Sequence, residues 1–200
     1  PGRFAIVKPV NPADPAIAEV IAEWKRTPGA VAVRVMVASR NDPDSPGIPL
    51  ILREAARQGL AVNFQIGGKV EQGTALIDRH PGTRFVLDHL GFYQPRVAPA
   101  PAGTWDDLPK VLALARRPNV AIKVSGVATM SSQGYPYDDI WDPLARVFDA
   151  YGLERCLWGS DWTRTHPMVT YPQAVEPFRM TKRLSDSERA LLMGGACARA

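Results

Sequence analysis

The stretch Leu157-Trp158-Gly159-Ser160-Asp161-Trp162 runs from apolar residues straight into a carboxylate. An aspartate at the C-terminal tip of a strand can take a proton from water and so make it nucleophilic. An imidazole has a comparable place in Asp88-His89-Leu90-Gly91, where it can polarise a carbonyl or meet the oxygen as it turns negative. Arg34, Gln65, Lys123 and Ser125 sit in or at the ends of other apolar runs and are candidates for binding a substrate. An arginine there suits a carboxylate, which its planar fork binds through two parallel hydrogen bonds. Trp162 is expected to wall the pocket. Asp88, on the opposite face of its strand from His89, reads as structural. His80, ahead of Pro81-Gly82, reads as a surface cap, and His166 as a second-tier candidate for the pocket mouth.

These groups need a frame that turns them toward one another, and the hydrophobic pattern predicts it. Apolar runs over 4–10, 30–37, 60–66, 84–90, 119–125 and the stretch entering Asp161 read as six strands. Helical patterns fill the intervals, among them one capped by Asp14 with Ile17, Val20, Ile21 and Trp24 on one face, others over 48–58 and 74–79, one capped by Thr104, and one over 138–151. Two helices close the chain, the last opened by the capping box Ser185-x-x-Glu188. Several strands split into a β-branched face and a smaller, partly polar one. In 30–37, Val31, Val33, Val35 and Val37 oppose Ala32, Arg34 and Met36. A parallel strand covered on both sides has this pattern, with the larger face against helices and the smaller toward a barrel axis. The prediction is an α/β fold of the (β/α)8 barrel type in one domain over 1–200, with the polar strand tips converging on one pocket. No GxGxxG follows a strand, against a dinucleotide fold. A complete barrel has eight units, so two are expected to lie upstream of Pro1. The proline-rich segment 92–103 and the segment 39–47 are expected loops, the former a candidate lid.

The totals exclude several functions. There are 24 basic and 20 acidic residues, scattered without a run of like charge, which gives no footprint for nucleic acid. No apolar stretch reaches the roughly 20 residues of a membrane span. Two cysteines, Cys156 and Cys197, form neither a disulfide framework nor a CxxC site, which points to a reducing cytoplasm. The expected partner is a small-molecule substrate, with homo-oligomer formation left open.

Asp88-His89-Leu90-Gly91, Lys123 before Val124-Ser125-Gly126, and Trp158-Gly159-Ser160-Asp161-Trp162 together resemble the amidohydrolase-related family, the branch with metal-dependent hydrolases and dicarboxypyrone lactonases. Ala32-Val33-Arg34 resembles its Gly-Val-Arg strand with the glycine replaced. The resemblance implies a distorted barrel, a first-strand His-x-His pair absent among His80, His89 and His166, and a catalytic pair in Asp161 and His89. Asp161 matches a residue that binds a divalent metal, zinc by type, activates water, or does both. Gln65 replaces a further metal-binding histidine of many members, which favours the branch working without metal. Phe92 stands where lactonases place a substrate-binding arginine, which argues against the dicarboxypyrone itself. The implied activity is hydrolysis of a small lactone, amide or ester, by water activated at Asp161 with His89 polarising the carbonyl. The alternatives are a non-oxidative decarboxylase on the same barrel and a catalytically inactive fragment.

Overall fold

The computed structural model describes residues 4–37 and 41–200. Six strands form one sheet in chain order: β1 (Ile6–Pro9), β2 (Ala30–Met36), β3 (Ala61–Gln65), β4 (Phe85–Leu87), β5 (Val120–Ser125) and β6 (Cys156–Gly159). Every neighbouring pair is parallel. Parallel neighbours need crossovers, which here carry α1 (Ile17–Lys25), α2 (Gly47–Arg57), α3 (Val70–Arg79), α4 (Leu108–Leu114) and α5 (Trp141–Tyr151). Beyond β6 come α6 (Trp162–Thr165), α7 (Tyr171–Met180) and a helical C-terminal segment from Asp186 to Arg199 that packs back on β6. The first and last strands do not pair, so the fold is a partial (β/α)8-type barrel.

The two faces of the sheet differ as the strand patterns predict. Val33, Val35, Val62, Phe64, Phe85, Leu87, Val120, Ile122, Val124 and Cys156 pack with Ile21, Ile51, Leu76, Val111 and Leu144 in the core between sheet and helices. Ala32, Ala61, Val86 and Leu157, with Val7 and Ala121 against them, form a smaller cluster on the other face. At Arg34, Asn63, Lys123 and Ser125, on this second face, the strands turn polar. Small side chains next to polar ones leave room there instead of closing the space.

Several boundaries differ from the sequence reading. Val31, on the face expected to be buried, is 46% exposed at the start of β2. The third helix starts at Val70 rather than at 74, and Gly73 within it lets α3 approach the end of β3: a Cβ at that position would lie 2.6 Å from Ile66 Cγ2. Thr104 does not cap α4; its hydroxyl donates to the Pro101 carbonyl and the helix starts at Leu108. Ala145 is exposed, and Val147 and Tyr151 complete the buried face of α5. Residues 39 and 40 of the expected 39–47 loop lie outside the described residues. His80 ends α3, and Ser185 and Glu188 form the expected capping box. A second box, Thr170 with Gln173, opens α7.

Candidate active site

The strand tips do converge. Arg34 on β2, Asn63 on β3, Asp88 and His89 after β4, Lys123 and Ser125 on β5, and Asp161 after β6 line one cleft of about 400 Å³. Its floor includes Leu157, Trp158 and Gly159. A second cleft at the C-terminal rim shares Arg34, His89 and Asp161 and adds Met36, Gln65, Arg96, Thr163 and Arg164. His89 and Asp161 thus stand between the two spaces.

Backbone strain puts this pair in place. β4 stops at Leu87, and His89 and Leu90 adopt left-handed backbone at φ 55° and 60°. Asp161 does the same at φ 50°. Left-handed backbone is costly for residues with a Cβ, and it tends to collect where function requires it. The turn also breaks strand alternation, so Asp88 and His89 both reach the cleft although they are sequence neighbours. Opposite facing, the basis for reading Asp88 as merely structural, does not hold. Asp88 is 2% exposed and accepts from Arg34 Nε at 2.7 Å and from Lys123 Nζ at 2.9 Å. Burial works against its ionisation, but Lys123 and Arg34 outweigh that and hold its carboxyl below the ordinary carboxylate range.

His89 meets Arg34 Nη2 through Nε2 at 3.3 Å and Ser125 Oγ through Nδ1 at 3.0 Å. Its Nδ1 is also 3.4 Å from Asp161 Oδ2. A guanidinium can only donate, so Nε2 must be the accepting nitrogen and the neutral ring carries its proton on Nδ1. Burial, the largest influence, pushes His89 below the ordinary imidazole value; Asp161 and Asp88 pull it upward, while Arg34 and Arg164 add to the depression. The ring is therefore neutral near pH 7, with its N–H aimed toward Asp161 and Ser125.

Arg164 was not legible as a site residue, yet it organises the carboxylate. Its Nε donates to Asp161 Oδ2 at 2.5 Å, Nη1 to the Pro95 carbonyl at 3.1 Å, and Nη2 to Thr129 Oγ1 at 3.0 Å and to Gln94 Oε1. Gln94 in turn donates to the Ser125 carbonyl at 2.8 Å. The arginine lies three residues after Asp161, one helical turn away in α6, and that spacing is the signal that could have found it. Gly126 makes room for the network. Its φ is +68°, and a Cβ would stand 2.3 Å from Arg164 Nη2 and 2.6 Å from Gln94 Oε1.

Gln65 lines the rim cleft with His89 and Asp161. Trp162 does not join them. It is 38% exposed and packs on His166 and Tyr171 along a separate surface groove, because the left-handed turn at Asp161 swings the next residue outward. The ring of Trp158 does not replace it, since it packs on Phe178 in the helix-side core, and His166 stays away from both clefts. As for metal, no group of three or more His, Cys, Asp or Glu side chains that could hold an ion occurs among the described residues. His89 and Asp161 each face a guanidinium as well, so the described side chains do not fit a resident dication.

The amidohydrolase family model matches the chain over residues 1–200. A 4-sulfomuconolactone hydrolase of Rhizobium radiobacter is 42% identical over 82 residues, 40% of this chain and 25% of that protein. An L-fucono-1,5-lactonase of Burkholderia ambifaria is 35% identical over 91 residues, 44% of this chain and 29% of that protein. The matched stretches thus span well under half the length of either relative. Among solved structures, an amidohydrolase from Burkholderia multivorans with bound zinc superposes with a TM-score of 0.80 at 25% identity, covering 98% of this chain and 72% of that one.

Proposed function

The chain belongs to the amidohydrolase family, and from that premise we propose that the protein hydrolyses a small, carboxylate-bearing lactone with Asp161 and His89 as its catalytic pair. The observation that carries the reading is the meeting of these two groups, 3.4 Å apart, between two clefts at the C-terminal end of a parallel sheet. In barrels of this type that end holds the chemistry. The similarity to two lactone-opening enzymes supports the choice of bond.

Asp161 Oδ2 is taken by Arg164 and faces His89, which leaves Oδ1 to accept a proton from water. The oxygen of that water adds to the lactone carbonyl carbon as the proton passes to Oδ1. The carbonyl oxygen becomes negative and is met by the Nδ1–H of His89, whose tautomer Arg34 fixes. When the tetrahedral adduct collapses, the bond from carbon to the ring oxygen breaks and the departing alkoxide recovers the proton from Asp161. The product is the open hydroxy acid. Each of these steps is carried by a side chain of this chain. Arg34 and Lys123 hold the buried carboxylate of Asp88 and through it keep His89 in place.

The test is a pH-stat assay over a panel of five- and six-membered lactones with and without a ring carboxylate. Stoichiometric acid release from the carboxylate-bearing members, abolished in Asp161→Asn, is the expected result. Release of carbon dioxide from aromatic or enol acids, with no lactone opened, would replace hydrolysis by decarboxylation. No turnover of either class would leave the inactive fragment.

A further inference from the structure

The cations around His89 and Asp161 are not equivalent. Arg34 is engaged by Asp88 and His89, Lys123 by Asp88, and Arg164 by Asp161, Gln94, Thr129 and Pro95. Arg96 lines the same rim cleft and forms no hydrogen bond or ion pair among the described residues. We infer that Arg96 is the residue that receives the substrate carboxylate, in a subsite bounded by Gln65, Thr163 and Arg164. This rests on the hydrolytic reading and names its specificity determinant, in place of Arg34 and Lys123, which the pattern of strand tips had suggested.

Two features support the assignment beyond the absence of a partner. The chain just before Arg96 is anchored: Gln94 is buried and bonded to the Ser125 carbonyl, and the Pro95 carbonyl accepts from Arg164 Nη1. The guanidinium is therefore carried on a fixed base, tied to the same arginine that holds Asp161, while its own tip is exposed. A group anchored this way loses less freedom on binding than one on a loose loop. The charge balance points the same way. Arg34, Lys123, Arg164 and Arg96 face only Asp88 and Asp161, so with His89 neutral the clefts carry excess positive charge that an anionic substrate would offset. Using Arg34 or Lys123 as the anion receptor would require breaking a contact to a carboxylate that is 2% exposed; Arg96 has no such contact to give up among the described residues.

The experiment has two readouts. The first is binding of tetrahydrofuran-2-carboxylate, a ring carboxylate with no lactone bond, to the wild-type chain and to Arg96→Gln by calorimetry. The second is kcat/KM for a ring-carboxylate lactone and for its methyl ester. Arg96→Gln is expected to weaken probe binding by roughly ten- to a hundredfold, the loss of a charge-assisted contact. It should lower kcat/KM on the free carboxylate by a similar factor, mainly through KM, and lower it far less on the ester, which carries no charge for Arg96 to meet. Arg96→Lys should restore part of the loss, because a point charge remains without the fork. Equal probe binding by wild type and Arg96→Gln, or no binding by either, overturns the assignment whatever the lactone assay shows. Probe binding that depends on Arg96 in a chain that opens no lactone upholds the subsite and refutes the hydrolytic reading.

Discussion

With a guanidinium on one ring nitrogen and a carboxylate and a hydroxyl near the other, His89 has one proton arrangement that satisfies every neighbour. Burial keeps it neutral, and activity should require that neutral form. The acid limb of the rate profile is therefore expected below the ordinary imidazole value of 6.5, and a limb at or above 6.5 would contradict the assignment. Stability follows the same sign. Below 6.5 the unfolded chain binds a proton on this ring that the folded chain does not, so the contribution of His89 to stability falls as pH drops through 6.5 toward its lower folded value. Gly126 gives a second test at this scale. A methyl there meets Arg164 and Gln94 on left-handed backbone, so Gly126→Ala should cost about 1–3 kcal/mol in urea unfolding and reduce turnover by displacing Arg164 from Asp161. Unchanged stability would mean that the network tolerates the shift without strain.

At the scale of elements, period-two alternation was enough to place the strands, and the two-faced runs Val62, Phe64 against Ala61, Asn63 and Ile122, Val124 against Lys123, Ser125 told the helix side from the cleft side. Alternation failed where the backbone leaves the strand. Nothing in Asp88-His89-Leu90 announces two consecutive left-handed residues, and so the facing of Asp88 was misjudged. Trp162 was misplaced for the same reason, by the turn at Asp161. Arg164 was missed although its i,i+3 spacing from Asp161 hinted at it, and Arg96 because it comes from a segment beyond the strand tips, where only the fold sets what is near. Gly73 shows how a single residue can carry tertiary information. Glycine to alanine inside a helix normally adds about 1 kcal/mol of helix propensity. Here the new methyl meets Ile66, so Gly73→Ala should lower rather than raise the denaturation midpoint, and an increase would show that α3 can move away from β3 at little cost.

At the scale of the molecule, the six-stranded sheet brings His89 and Asp161 together across two crossovers, since β4 and β6 flank β5 and their ends splay around Ser125. The helix-side core holds that arrangement, and the polar face opposite can stay open because it adds little to the packing. The central claim is that Asp161 and His89 act as one unit on one bound lactone. A double-mutant cycle with Asp161→Asn and His89→Gln, read as kcat/KM for lactone hydrolysis, tests it most directly. Groups that act on the same tetrahedral adduct, one carrying its proton and the other meeting its oxyanion, are strongly non-additive. Each single change should cost on the order of 10²–10⁴ in rate, and the double variant should be little worse than the poorer single one. Losses that multiply, or a single variant that keeps full activity, would contradict the claim.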